Sequence, residues 1–320
     1  MKFLNTTRRK LVPLAMALTT LPMAGHTQTA DFPSRTVRII VSFTPGAAPD
    51  IVARALADAL TKKWGVPAIV ENKMGAEGVI ASDTVARAAP DGHTLYLATM
   101  GNIALLPATV EKLPYDAATS FRGVSYVAGN PFAILLSNGS PVKSVDEMVQ
   151  LSKKRPLTYG SAGTLGPLIG AQLVKQTGAE LTYVPYKGAQ PALIDLAGGQ
   201  IDMVIADLPS LLPTQQQGRG KILTVTTKSR SSLAPEVPTM VEAGFKDFNF
   251  STWYSVVVPA KTPNAIVEKL NADVTEALAN PDVVKRLLTL GMTPQPSTSK
   301  AMDELMKHDL ALWARVVKDK

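Results

Sequence analysis

The chain lacks cysteine and is poor in histidine. None of its 320 residues is Cys, and its three histidines are His26, His93 and His308. No disulfide, no lipidated N-terminal Cys and no His/Cys metal cluster can form from this set, and no recognisable spacing indicates a carboxylate-only metal site. We therefore expect a protein with no metal and no cofactor.

The usual motifs of nucleotide binding and nucleophilic catalysis are also missing. No G-x-x-x-x-G-K-[ST] loop occurs, and the segment 160–166 does not fit G-x-G-x-x-G. Ser161 lies in a Gly-Ser-Ala-Gly stretch, but Tyr159 stands where a G-x-S-x-G elbow requires glycine. His93 and His308, the two available bases, are better interpreted as an exposed turn residue and a solvated helix residue. We predict that the protein is not an enzyme.

The one long apolar run is at the N-terminus, from Leu11 to Met23. It is shorter than the roughly 20 residues that a membrane span requires. Four basic residues precede it, and small or polar residues follow it up to Ala30. This layout predicts a cleaved signal peptide over residues 1–30. Export without any disulfide favours the bacterial periplasm.

Without the predicted signal peptide, the chain has little net charge. Taking the four cations of the signal peptide from the 33 Lys and Arg of the chain leaves 29 against 26 Asp and Glu, a net charge of +3. Such a dispersed balance gives no support to nucleic-acid binding. No later segment is long and apolar enough for a membrane anchor. We expect a freely diffusing monomer.

Short apolar runs alternate with amphipathic stretches along the mature chain. This alternation predicts an α/β fold of mainly parallel sheets flanked by helices. About 290 residues are long for one core and fit two lobes. We place lobe 1 at 31–130 plus 252–320 and lobe 2 at 131–251, and we expect the last three helices to pack on lobe 1. Val124–Val127 and Ala133–Leu136 are predicted as separate strands.

Two glycine-rich turns follow predicted strands and open predicted helices. The first follows the strand Val37–Val41, and the second lies within 158–167. Such turns direct free N–H groups and the positive end of a helix at the space beyond the strand, where an anion can bind. In α/β sheets, ligands bind at this carboxyl edge. The candidate ligand-binding residues are Phe43, Thr44, Gly46, Ala47 and Ala48 in the first turn and Ser161, Ala162, Gly163 and Thr164 in the second.

Asp207 is a further candidate with two interpretations. It stands at the carboxyl end of a predicted buried strand and just before Pro209. Its carboxylate either faces the ligand or caps the helix that follows.

A series of short motifs resembles one known family across nearly the whole mature chain. In order, they are Phe32-Pro33-Ser34-Arg35, Pro45-Gly46-Ala47-Ala48-Pro49-Asp50, Val70-Glu71-Asn72-Lys73, Ala89-Pro90-Asp91-Gly92, Leu113-Pro114-Tyr115-Asp116, Val184-Pro185-Tyr186-Lys187-Gly188, Glu236-Val237-Pro238-Thr239, Glu242-Ala243-Gly244 and Pro259-Ala260-Lys261-Thr262-Pro263. The series resembles the Bug-type solute receptors of tripartite tricarboxylate transporters. Each motif alone is weak, but together and in this order they are specific.

The resemblance implies a two-lobed periplasmic binding protein of type II-like fold, with the ligand cleft between the lobes. It implies a small carboxylate ligand, such as a dicarboxylate, a tricarboxylate or an aromatic acid, and a membrane permease as partner. Main-chain N–H groups of the two glycine-rich turns would hold one carboxylate. It also implies contacts from the loop 99–102, where Asn102 is the candidate, and from Asp207.

Two departures from the family pattern concern selectivity. The first turn carries Ala47 where the family usually has a second glycine, and the second turn continues with Leu165 and with Pro167, which has no N–H. These changes favour a less polar pocket, in which Phe43, Trp253 or Tyr254 either contacts the ligand or fills the hinge. Two alternatives stay open: a sensing subunit for a membrane signalling protein, and an esterase that uses Ser161.

Overall fold

The structure, a computed structural model, describes residues 32–162 and 165–318. The predicted signal peptide lies outside these residues. The described strands are β1 (Val37–Val41), β2 (Ala68–Asn72), β3 (Thr94–Thr99), β4 (Phe121–Ser137), β5 (Leu157–Ala162), β6 (Leu181–Tyr186), β7 (Met203–Asp207), β8 (Gly220–Val225), β9 (Ser251–Pro259) and β10 (Thr293–Pro294). The described helices are α1 (Ala48–Trp64), α2 (Val79–Ala86), α3 (Leu106–Thr109), α4 (Val145–Lys154), α5 (Leu165–Thr177), α6 (Ala189–Ala197), α7 (Leu208–Gln216), α8 (Asn264–Leu278), α9 (Pro281–Thr289) and α10 (Ser299–Lys318).

The strands form a sheet with two regions that share β4. The first half-sheet has the order β2-β1-β3-β9-β4, with β10 also paired to β4. The second half-sheet has the order β4-β7-β5-β6, with β8 also paired to β4. β1 runs parallel to β2 and β3, and β5 runs parallel to β6 and β7. The carboxyl ends of β1, β2 and β3 therefore lie at one edge, as do those of β5, β6 and β7.

The sheet is mixed, whereas we expected mainly parallel strands in each half. β9 pairs antiparallel with both β3 and β4, and β7 and β8 pair antiparallel with β4. The reason is the path of the chain: β4 carries it into the second half-sheet, and β9 brings it back. Two strands that cross the same junction in opposite directions must run antiparallel.

β4 is one long strand where the sequence predicted two. The prediction of two separate strands, Val124–Val127 and Ala133–Leu136, is wrong. The residues between them, Gly129, Asn130 and Pro131, continue the pairing of β4 with β9. Local turn propensity is overridden by this tertiary pairing. Pro131, which has no N–H to donate, pairs with the first residue of β9, and from Ala133 onward the partners of β4 include β8.

The helices that frame the first turn are fixed by apolar contacts. α1 buries Val52, Ala53, Leu56 and Leu60 on one face and ends at Gly65, which has φ of 69°. α8 and α9 pack against α1, and α10 packs against β4. Among residues 32–162 and 165–318, no helix is long and apolar enough to cross a membrane.

Candidate ligand-binding site

The first glycine-rich turn links β1 to α1 at the carboxyl edge of the first half-sheet. The N–H of Ala47 donates to the carbonyl of Thr44 at 3.1 Å, which closes the turn. Gly46 has φ of 84°, and no heavy atom would lie within 4 Å of an added Cβ. Glycine is therefore required here for its backbone conformation and not for space.

A carboxylate of the chain itself occupies part of this turn. Asp50, 1% exposed, accepts the N–H of Gly46 at 2.9 Å. Arg54 donates Nε to Oδ2 at 2.9 Å and Nη2 to Oδ1 at 3.0 Å, and Asn72 donates to Oδ1 at 2.8 Å. Gly46 and Ala47, both candidate donors from the sequence, thus have acceptors within the protein.

The Asp50 carboxylate is held in its charged form. Burial opposes ionisation, but the hydrogen bonds from Arg54, Gly46 and Asn72 outweigh it and lower the pKa of this carboxyl below its usual value. A charged carboxylate at the first turn of α1 also interacts favourably with the helix dipole.

Three N–H groups of the turn remain available. Within the described parts of the chain, the N–H groups of Phe43, Thr44 and Ala48 have no acceptor. Ala48 is the first residue of α1, so its N–H is one of the donors that a helix leaves unsatisfied. Thr44 is exposed, and Phe43 and Ala48 are partly exposed. This arrangement suits an anion.

Asn102, a candidate by resemblance, lies in a π-helical turn (Gly101–Leu105) that follows β3. Its Oδ1 accepts from the Thr99 hydroxyl at 2.9 Å, from the Thr99 N–H at 3.3 Å and from the Ser42 hydroxyl at 3.1 Å. These bonds connect the ends of β1 and β3 and orient the amide. Its Nδ2 has no acceptor among residues 32–162 and 165–318, so it is the donor that Asn102 can offer to a ligand.

The second turn begins at the end of β5, where Ser161 has a structural role. Its hydroxyl donates to the carbonyl of Ile205 in β7 at 2.6 Å, and the residue is 2% exposed. Gly166 in α5 packs on this side chain so closely that an added Cβ would overlap Ser161 Oγ. The hydroxyl is thus committed to tying β5 to β7.

The remainder of the second turn is described only in part. Ala162 is partly exposed at the end of β5, and α5 begins at Leu165. Gly163 and Thr164, two candidate donors, lie outside the described residues. Pro167 stands in the first turn of α5, so this helix start has one N–H fewer than usual.

Asp207 is found in the capping arrangement. Its carboxylate accepts from Ser210 N–H at 3.2 Å and from Ser210 Oγ at 2.6 Å, at the start of α7. Burial raises the pKa of the Tyr254 phenol to about 12, and the negative charge of the nearby Asp207 carboxylate contributes to this increase. Tyr254 also pairs with Thr99, which donates to Asn102, so Tyr254 lies near both candidates, Asn102 and Asp207.

Trp253 belongs to the core and not to the site. It is 1% exposed, and its Nε1 donates to Asp309 of α10 at 2.7 Å. Of the two interpretations in the sequence, packing and not ligand contact describes this residue.

Sequence reasoning missed the polar cluster that shapes the first turn. Asp50, Arg54 and Asn72 were part of the matched motifs or lay beside them, but no role was assigned to them. The four-residue spacing of Asp50 and Arg54 on a predicted helix was the available signal. Within the described residues, no group of three or more His, Asp or Glu could hold a metal ion.

Comparison with known proteins identifies the family. Residues 52–320 match the TctC family model, described as the tripartite tricarboxylate transporter family receptor. The chain is 31% identical over 320 residues to the protein BugT of Bordetella pertussis, covering 97% of each chain.

Solved structures of similar proteins support the same family. A TctC solute-binding protein from Polaromonas, solved with no ligand, is 25% identical with a TM-score of 0.85, covering 90% of this chain and 100% of that one. MatC from Rhodopseudomonas palustris with bound malate is 32% identical with a TM-score of 0.65, covering 89% and 100%. An R. palustris protein with adipate is 33% identical with a TM-score of 0.67, covering 90% and 98%.

These neighbours confirm the predicted fold class, an α/β two-lobed periplasmic binding protein. The predicted lobe boundaries at 130/131 and 251/252 stay predictions. Because the family model spans most of the chain and the relatives match it almost end to end, the protein belongs to the TctC family of tripartite tricarboxylate transporter receptors.

Proposed function

We propose that this receptor captures a small carboxylate in the periplasm and delivers it to a tripartite tricarboxylate-type membrane permease. The observation that carries the proposal is the set of unengaged N–H groups at Phe43, Thr44 and Ala48, beside the start of α1. A hydrogen bond from such a group to a carboxylate contributes roughly 1.5–3 kcal/mol. The neighbours with malate and adipate support this ligand class.

The ligand would lie between the first and second turns, with Asn102 near the junction. Candidate contacts are Phe43, Thr44, Ala48, Asn102, Ala162, Gly163 and Thr164. Gly46, Ala47, Ser161 and Asp207 would act by shaping the turns, since their polar groups already have partners in the protein.

Closure of the two lobes on the ligand forms part of the proposal. The ligand-free Polaromonas receptor has the higher TM-score, 0.85, despite its lower identity of 25%. The malate- and adipate-bound neighbours have TM-scores of 0.65 and 0.67 at 32% and 33% identity. A different angle between two rigid lobes lowers such a score, so this order supports an open cleft in the present structure. Closure would exclude water and strengthen the bonds to the carboxylate.

The proposed location follows from the signal peptide predicted over residues 1–30. The permease would recognise the closed, liganded form. A sensing role would use the same closure, with a membrane signalling protein in place of the permease. A catalytic role is disfavoured because the Ser161 hydroxyl donates to a main-chain carbonyl.

Binding can be tested by calorimetry and tryptophan fluorescence on the mature protein. The panel should contain aliphatic and aromatic mono-, di- and tricarboxylates. We expect at least one acid to bind and to raise the melting temperature. No response to any acid of the panel would contradict the proposed function.

Ala48→Pro provides a sharper test of the first turn. Proline removes the N–H, is tolerated at the first position of a helix, and follows Ala47, which is already extended with ψ of 158°. We expect affinity to fall about tenfold, the value of one charged hydrogen bond. Asn264→Pro at the first residue of α8 is the matched control and should bind normally. Equal affinities in the two variants would refute the role of this donor.

A further inference from the structure

A strained segment lies between β2 and α2. Ala76 and Glu77 have φ of 45° and 55°, and no other non-glycine residue in the described part of the chain has positive φ. Each left-handed residue costs about 1–2 kcal/mol. Both residues are exposed, so burial of their side chains does not compensate. Strain of this kind is concentrated at functional positions, which directs attention to what this segment presents.

The segment stands at the carboxyl edge of the first half-sheet. Gly78, which follows Glu77, lies against the Asn102 amide: a Cβ added at Gly78 would collide with the amide nitrogen and lie 3.4 Å from Ser42 Cβ. The Ser42 hydroxyl, after the end of β1, donates a hydrogen bond to Asn102 Oδ1, after the end of β3. Glu77 is therefore adjacent in the chain to a glycine that lies against the candidate ligand donor Asn102.

Glu77 differs from the other acids at this edge because it has no cation beside it. Asp50 is paired with Arg54 at 2.9 Å, and the Glu71 carboxylate accepts from Arg38 Nη2 at 2.7 Å. Glu77 makes no ion pair or hydrogen bond within residues 32–162 and 165–318. An exposed carboxylate without an ion pair among the described residues thus stands on the segment that lies against Asn102.

We propose that Glu77 selects ligands by charge at the lobe 1 side of the cleft, so that the receptor disfavours a second carboxylate there. This inference rests on the proposed function, because it concerns the ligand of the same site. The preferred ligand is a monocarboxylate whose other end is neutral or carries a donor such as an ammonium group. Asn102 Nδ2 and Glu77 would then receive a group that both accepts and donates hydrogen bonds.

The test compares ligands that differ in the charge at one end. Two matched sets are succinate, 4-aminobutyrate and butyrate, and adipate, 6-aminohexanoate and hexanoate. Calorimetry would give the affinity ratio of dicarboxylate to amino acid for the wild type, Glu77→Gln and Glu77→Gly. We expect both variants to shift this ratio towards the dicarboxylate about fivefold at low salt, and by less at high salt, as screening reduces a charge effect.

Glu268→Gln serves as the control, since Glu268 is exposed on α8, away from this edge. Its ratio should equal that of the wild type. A shift in Glu77→Gly alone would overturn the proposal in favour of a backbone role, because the glutamine variant removes the charge and retains the side-chain length. An unchanged ratio in both variants, with carboxylates still bound, would refute charge selection and leave the proposed function intact. Failure of every acid to bind to any of the proteins would refute both.

Discussion

The Asp50 carboxylate offers the most direct test of how the first turn is held in place. Asp50→Ala removes the acceptor of the Gly46 N–H, of two Arg54 donors and of Asn72. The Asp50 side chain is only 2% exposed, whereas Arg54 is 46% exposed and can be rehydrated. We therefore expect a loss of about 2–4 kcal/mol in the free energy of unfolding, short of the full penalty for an unpaired buried charge.

Asp83→Ala is the matched control, because Asp83 and Arg87 form an ion pair at the same four-residue spacing and at 2.7 Å. That pair is more exposed, with 29% and 68% of the side chains accessible. Its loss should cost less than about 1 kcal/mol. Thermal unfolding of the ligand-free protein is the assay, and the Asp50 variant should melt lower by about 5 °C or more. Equal losses in the two variants would refute this explanation of the turn.

The same variant predicts a pH dependence. The folded-state pKa of Asp50 is lowered, so its contribution is present above the unfolded pKa of about 3.9 and is lost as pH falls through the folded value. The stability difference between wild type and Asp50→Ala should therefore be constant from pH 7 to 5 and should shrink below about pH 4. A difference that is unchanged in strong acid would show that charge is not involved.

Four further substitutions, one of them a control, test packing around the site. Gly129→Ala at the junction should destabilise the protein, because an added Cβ would collide with the Tyr126 hydroxyl and lie 2.5 Å from the carbonyl oxygen of Thr252 in β9. Gly139→Ala, with open space, should be neutral in the same thermal assay. Gly166→Ala should displace Ser161 and weaken ligand binding in calorimetry, whereas unchanged affinity would show that this contact does not position the second turn. Trp253→Phe loses a buried hydrogen bond to α10 and should lower the free energy of urea unfolding by about 1–3 kcal/mol; a loss below 0.5 kcal/mol would contradict the assigned role.

The two candidate anion-binding turns could be located from sequence because their signal is local. A buried strand, a Pro-Gly or Gly-rich turn and a helix start are contiguous, and the observed β1 and α1 match that prediction closely. Which N–H groups remain free could not be predicted. The set of free N–H groups depends on the hydrogen bond from Gly46 to Asp50 and on the one from Asn72 of β2 to Asp50. Both hydrogen bonds require the folded tertiary structure.

The sequence by itself determined the family and the α/β class. Its lack of Cys and its low content of His also disfavour thiol and metal chemistry. These follow from composition and from patterns within a few residues of one another. The tertiary structure alone decided that β4 is a single strand and that Ser161 ties β5 to β7. It also decided that the exposed Glu77 lies one residue from the glycine packed against Asn102. Each of these depends on residues distant in the chain, and a local pattern carries no information about which distant partner will occupy a hydrogen bond.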